Sequence, residues 1–326
     1  MIDLSAPPYC VRGDWFGNDA CATDWWTAIQ DAANCAGENP GGISPDYGGC
    51  EGDTLILPKG SIMIGHPLVL PPGVSLQGSG NFATTLVVKE SFDPSRHFID
   101  LGDGTRHYAA FGNQIKNMIL WNNPNVDAAQ GAAMVYTNNT QDTDPILDNV
   151  RVMGYKRRCI WAEIGFGGAS IAKFRQVTTA CTKPNLPGVL LDYGEGTLIH
   201  FDGFEPCAGR QSNDPASPLY NLPIPGTIGM VMKGGILRME RMHPEIVDTC
   251  LLVNHKTARC FTDVDWSTIG GGVNAGIVFM GNPLQKGRLR VANTQCNASN
   301  PSCPTVLNGQ SGAVSIFGDI VDPIRL

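Results

Sequence analysis

Ile115-Lys116-Asn117-Met118, Leu147-Asp148-Asn149-Val150, Phe174-Arg175-Gln176-Val177 and Phe201-Asp202-Gly203-Phe204 are four instances of one short pattern: apolar, any residue, turn residue, apolar. Four more follow at Met239-Glu240-Arg241-Met242, Phe261-Thr262-Asp263-Val264, Val291-Ala292-Asn293-Thr294 and Phe317-Gly318-Asp319-Ile320. Successive first positions are separated by 22 to 38 residues, an irregular period within the range of solenoid repeats. A second apolar series keeps step with the first, from Gly131-Ala132-Ala133-Met134-Val135 through Cys159-Ile160-Trp161 and Gly188-Val189-Leu190-Leu191 to Gly312-Ala313-Val314-Ser315-Ile316. Each repeat therefore carries at least two short strands.

The third position sets the kind of repeat. Asn, Asp or Gly fills six of the eight instances, and these residues best tolerate a left-handed backbone. A one-residue corner between two strands fits: side chains alternate in and out before it, the corner resets the phase, and the next apolar residue points inward again. Gln176 and Arg241 depart from the pattern. The segments are too short, and too rich in β-branched and aromatic residues, for amphipathic helices. The expectation is an all-β, right-handed, single-stranded parallel β-helix.

Composition agrees with an elongated solenoid, which grows by adding rungs and escapes the size limit of a single core. The chain has 326 residues with 39 Gly and 23 Pro, so turns are frequent, and it lacks an apolar run long enough to span a bilayer. A net charge of −7 argues against a nucleic-acid partner. Met1 to Cys10 does not read as a secretory signal. Eleven cysteines include four in the first 50 residues, Cys10, Cys21, Cys35 and Cys50, and a close pair at Cys296 and Cys303, candidates for disulfides; Cys181 and Cys207 read as stacked core thiols.

Residues 1–52 read as an N-terminal cap and residues 53–326 as the solenoid, with no separate C-terminal domain. Within the cap, Asp24 to Cys35 has an N-capping Asp or Thr and helical apolar spacing at Trp25, Ala28, Ile29 and Ala32. A Gly/Pro/Asp-rich loop follows, then short strands at Leu55-Ile56-Leu57, Ile62-Met63-Ile64, Leu68-Val69-Leu70 and Val74-Ser75-Leu76 between Pro-Gly corners. A helix containing Ala28-Ile29-Gln30, then Leu55-Ile56-Leu57-Pro58-Lys59-Gly60 and Leu68-Val69-Leu70-Pro71-Pro72-Gly73-Val74-Ser75-Leu76-Gln77-Gly78-Ser79-Gly80, resembles the entry to pectate-lyase-like β-helix proteins, among them many phage tailspikes and depolymerases. The resemblance covers about Asp14 to Gly80 in motif and the rest in repeat architecture. It implies a helix capping the open end, and lyases, hydrolases and inert adhesins all share the fold. The polygalacturonase motifs Asn-Thr-Asp, Asp-Asp and Gly-His-Gly, and those of secreted pectate lyases, do not occur, which argues against a plain pectinase.

The repeat phase turns Asp148, Arg151, Arg175, Asp202, Glu205, Glu240, His243 and Asp265 outward. Asp202 and Glu240 hold the same position on adjacent rungs, ~4.8 Å apart, and Glu205 and Asp265 add longer pairs. Glycoside hydrolysis needs two acids, one to protonate the leaving oxygen and one to attack or activate water. Asp202, Glu205, Glu240 and Asp265 are therefore the catalytic candidates, and Arg151, Arg175, Tyr193, Tyr220 and His243 the substrate-binding ones; the competing reading of the acids is a ladder of ion pairs. The spacing of His and Cys gives no zinc motif, so no metal and no cofactor is expected. Ala208 to Ile228 is the largest excursion, of a size that builds a binding wall or a subunit contact.

The short tail after the last repeat implies that something covers the final rung, and the resemblance makes a homotrimer and other virion proteins the expected partners. Two functions follow. One is a phage tailspike-like protein, on the virion, that binds and cleaves a bacterial surface polysaccharide as a hydrolase or lyase; the other is a non-catalytic structural, decoration or adhesin protein on the same scaffold.

Overall fold

The computed structural model describes residues 1–9, 11–12, 23–38, 54–71, 73–101, 112–128, 131–138, 143–163, 171–193, 197–220, 222–256, 260–266, 273–279, 288–292, 306–308 and 313–317. Strands form two sheets of 13 and 9 members. Each strand of the solenoid pairs in parallel with the strand one circuit earlier and one circuit later, so the chain is a parallel β-helix.

In the larger sheet the long strands bend at a single residue. Asn117, Asn149, Gln176, Gly203 and Arg241 have φ of 54°, 54°, 50°, 75° and 55°, all left-handed. The residues on either side stay in register: Ile115, Leu147, Phe174, Phe201 and Met239 stack before the corner, and Met118, Val150, Val177, Phe204 and Met242 after it. The corner divides the larger sheet into two faces, and the smaller sheet makes a third. A left-handed conformation costs a non-glycine residue roughly 1–2 kcal/mol. Part of that is offset by a side-chain ladder in which Asn149 Nδ2 donates to Asn117 Oδ1 at 2.9 Å and Asn81 Nδ2 to Asn149 Oδ1 at 2.8 Å. Gln176 and Arg241 turn the same corner because the rungs beside them fix the register.

The sixth repeat departs from expectation. Asp263 is not left-handed, and Phe261 pairs with Ile236 rather than Met239. Thr262 and Val264 are the buried residues, opposite Leu237 and Met239, and Trp266 lies opposite Met242. This strand has one residue fewer between those two pairs, so the corner residue is the one omitted. At the far end, Ala313–Phe317 joins the larger sheet with Ile316 opposite Val291, so the last member of the second series lies, with Phe317 of the first, in the larger sheet rather than the smaller. The corners at Asn293 and Asp319 lie outside the described residues.

Inward side chains of all three faces form one continuous core. Phe174 and Phe201 stack at 4.4 Å between ring centroids, and Phe201 meets Phe204 across the corner at 5.0 Å. Burying aromatic rings of this size contributes about 1.5–3 kcal/mol each from area alone.

The one helix among the described residues spans Trp26–Glu38, starting and ending slightly later than its sequence suggests. Asp24 Oδ1 accepts the amides of Trp26 and Gly65, both at 3.0 Å, so one carboxylate caps the helix and ties it to the solenoid. Ile29, Ala32, Ala33 and Ala36 form its buried face. Gln30 faces the terminal strand of the smaller sheet, Leu68–Leu70, accepting the Val69 amide at 2.9 Å and donating to the Val69 carbonyl at 2.8 Å. Ile2–Asp3 pairs in parallel with Thr54–Ile56, adding a strand within the region read as cap.

Cys35, Cys159, Cys181 and Cys207 are free thiols. Cys181 is core, whereas Cys207 is only partly buried and sits opposite Ala180, one register position away from Cys181. The expected core stack of the two is therefore corrected: Cys207 points outward. Cys10, Cys21, Cys50, Cys296 and Cys303 lie outside the described residues.

Candidate functional site

The face before the corner carries the charged row Lys116, Asp148, Arg175, Asp202 and Glu240, one residue per rung. Its acids are ion-paired. Asp148 takes a two-pronged contact from Arg175, Asp202 is bound by Arg241, and Glu240 is 2.8 Å from Arg238 and 3.7 Å from His200. Asp202 and Glu240 are register neighbours as expected, but each carboxylate is held by a different set of basic groups.

The face after the corner is different. Residues two apart on a strand share a face, so Glu205 and Cys207 of Leu198–Cys207 both point outward, and His243 and Glu245 lie beside them on the next rung. The rungs are locked by His243 N donating to Phe204 O at 2.8 Å and Glu245 N to Pro206 O at 3.0 Å. Glu205 Oε2 accepts from Thr178 Oγ1 at 3.1 Å, and Cys207 Sγ lies 3.7 Å from Glu205 Oε1. His243 Nε2 and Glu245 Oε1 are 3.2 Å apart. Burial and the neighbouring Glu205 and Glu245 carboxylates push the Cys207 thiol well above its usual range.

Of these groups, Glu205 and His243 stand at one end of a groove of about 290 Å³ that runs behind the corner row. Asn149, Gln176, Gly203 and Arg241 form one side, and Arg151, Thr178, Glu205 and His243 the other. Gly203 opens the middle, because its neighbours in the row carry long side chains. At the opposite end the Arg151 guanidinium lies 4.5 Å over the ring of Phe82, which is 75% exposed.

Of the sequence-derived candidates, Arg151, Glu205 and His243 meet in this groove. Asp202, Glu240 and Arg175 lie on the preceding face. Tyr193 is a correction: it is 3% exposed and belongs to the core, at the same inward phase as Val189 and Leu191. Tyr220 lies in the excursion beneath Arg210, whose guanidinium is 4.0 Å from its ring. Asp265 is on the strand Phe261–Trp266, with its side chain outside the described residues. Cys207 and Glu245 were missed as site residues, although the two-residue alternation past Glu205 and His243 reaches both. The excursion from Ala208 begins directly after Cys207, and Gly209 N donates to Ile246 O at 3.3 Å, so its root stands beside Glu245.

No protein-family model matches the sequence, and neither does any curated protein. Among solved structures, the chain resembles ORF18 of Geobacillus virus E2, with a TM-score of 0.53 and 11% identity over 98% of this chain and 61% of that one. It also resembles full-length tailspike protein 2 from Escherichia coli O157:H7 bacteriophage CAB120, with a TM-score of 0.51 and 12% identity over 94% of this chain and 43% of that one. The likeness is one of fold: the protein shares the parallel β-helix architecture of these two structures. The chain spans 61% and 43% of the lengths of these two structures.

Proposed function

We propose that this chain is a tailspike-like virion protein that binds a bacterial surface polysaccharide in the groove behind the corner row. The observation that carries the reading is the lining itself: Arg151 and Arg241 flank it, Glu205 and His243 close one end, and the exposed ring of Phe82 stands at the other. The Arg151 guanidinium suits anionic sugars, whose carboxylates it binds through its N–H donors, while Arg241, tied to Asp202, shapes the wall, and the exposed ring of Phe82 offers a platform for a pyranose ring. Cleavage, within this reading, belongs to the end where Glu205, His243 and Glu245 converge.

The test is retention of fluorescent exopolysaccharide from co-occurring bacteria, with reducing ends and ultraviolet absorbance of unsaturated products followed in parallel. Arg151→Ala and Arg241→Ala should each weaken retention at least several-fold. Retention unchanged in both variants would remove the groove as the binding site. Products lost in Glu205→Gln would establish cleavage, reducing ends alone marking a hydrolase and ultraviolet absorbance a lyase.

A non-catalytic adhesin is the second reading, favoured by the ion pairing of Asp148, Asp202 and Glu240, which occupies the acids of the neighbouring face. Retention without products across a broad panel would select it.

We also infer self-association into a homotrimer. It is supported by the outward row of the smaller sheet, where Tyr136, Trp161, Leu190, Val231, Leu252 and Val278 follow Asp100 in register as an uncharged run, with Leu190 and Val231 already buried within the chain. Solution mass at micromolar concentration checks it, with Leu252→Glu expected to lower the mass to that of one chain.

A further inference from the structure

We propose that Glu205, Cys207 and Glu245 form a binding site for a divalent transition metal of the zinc type. The site follows from the fold. Outward residues two apart on one rung supply Glu205 and Cys207, and the next rung, about 4.8 Å away, supplies Glu245. One ligand atom from each of the three lies within 4.8 Å of the other two.

That spacing is close to what a metal needs. Bonds of about 2.0 Å to oxygen and 2.3 Å to sulfur place tetrahedral ligands roughly 3.3–3.5 Å apart. The Cys207 Sγ to Glu205 Oε1 distance is already 3.7 Å, so small side-chain rotations close the set.

Outer contacts are in place as well. Thr178 Oγ1 holds the second oxygen of Glu205 at 3.1 Å, and His243 Nε2 stands 3.2 Å from Glu245, the kind of support that orients ligating carboxylates.

Charge gives a separate reason. On the preceding face Asp148, Asp202 and Glu240 each have an arginine partner. Among the described residues, Glu205 and Glu245 have neither a lysine nor an arginine bound to them, and a thiol stands between them. Two adjacent carboxylates without such a partner are the place where a bound cation contributes most.

The donor set chooses the metal. A thiolate disfavours calcium and magnesium, which take oxygen ligands, and two carboxylates with one sulfur suit zinc and its substitute cobalt. Three protein ligands leave a fourth position for water, the arrangement of catalytic rather than structural zinc. Glu205 lines the groove, so the site borders it. The inference does not depend on the polysaccharide reading.

The test uses the full chain, reduced and freed of metal by chelation, titrated with cobalt(II) and then zinc. One equivalent of cobalt should produce a thiolate-to-metal charge-transfer band that zinc displaces. Cys207→Ser should abolish the band, and Glu245→Gln, a near-isosteric change at a half-buried position expected to leave the fold intact by circular dichroism, should weaken zinc binding at least 100-fold. His243→Ala, touching only the outer contact, should weaken it about 10–100-fold. Absence of any band in the wild-type protein, or a band undiminished in Cys207→Ser, would overturn the proposal; the second result would trace the metal to another of the 11 cysteines. Binding unchanged in folded Glu245→Gln would overturn it too. All these readouts are independent of sugar, so they stand whether or not the groove binds polysaccharide.

Discussion

The two faces that meet at the left-handed corner are built from the same strands and carry acids in equal prominence, yet they treat them in opposite ways. Before the corner, Asp148, Asp202 and Glu240 are paired with Arg175, Arg241 and Arg238. After it, Glu205 and Glu245 gather around a thiol and border a groove. Arg241 shows how the division arises: as a corner residue it lines the groove, but its guanidinium reaches back to Asp202. A row of acids on a solenoid is thus not evidence of chemistry by itself; the partner of each acid decides.

The largest expected effect comes from the core beneath both faces. Phe201→Ala removes a ring stacked on Phe174 and in contact with Phe204, and should cost about 3–5 kcal/mol in denaturant unfolding, disturbing both faces together. Loss on one face only, read from saccharide retention against ion-pair-dependent stability, would show that the faces are mechanically separate.

Acid should act elsewhere than on either face. His97 and His255 are buried enough to be lowered to about 4, against 6.5 when free; for His97 the arginines 157, 158 and 96 add to the effect of burial. The folded state therefore binds fewer protons than the unfolded one between those values. Stability is full above pH 6.5 and falls as the pH drops toward 4, by about 1–3 kcal/mol for each histidine after allowance for partial exposure. Unfolding measured at pH 7 and pH 5 should show the loss, and His97→Gln should reduce it.

Gly203→Val comes next. A β-branched residue at φ 75° should cost roughly 1–2 kcal/mol and narrow the groove, whereas Asn117→Gly, three rungs earlier along the same corner row, should leave saccharide retention unchanged. Smallest is Asp202→Asn. Its partner Arg241 is well exposed, so thermal unfolding should register less than about 1 kcal/mol, with no change in metal binding. A large effect on metal binding would join the two faces into one site.

Much of the fold was legible because a corner repeated in sequence is a corner repeated in space. Five left-handed residues fell where the pattern placed them, including Gln176 and Arg241, whose own preferences argue otherwise and which follow the register of their neighbours. The Phe261 repeat misled because apolar, any, turn, apolar also describes a straight strand; its spacing, the shortest of the series, was the sign that a residue was missing. Glu205 and His243 could be placed from phase. The same alternation, carried two residues further, reaches Cys207 and Glu245, but each follows a proline, Pro206 and Pro244, beyond the repeated four-residue pattern, so nothing in that pattern marks them. A ladder of ion pairs was a reading open from the sequence, and Asp148 with Arg175 fits it, but the pairing of Asp202 with the corner residue Arg241 was beyond reach, because the two meet only through the chain's return one rung later.

Gln30 imitates a strand with one side chain. Its carboxamide meets both main-chain groups of Val69 as a neighbouring peptide unit would, at 2.9 and 2.8 Å, while Trp26 Nε1 takes the Pro67 carbonyl at 2.7 Å. In polymer terms it is a chain stopper: it occupies the template at the first strand of the smaller sheet, so another copy's strand cannot add there. End-to-end addition at that strand is therefore opposed by the Gln30 amide together with Trp26 and the buried face of the helix, and Gln30→Ala would remove one of these stops.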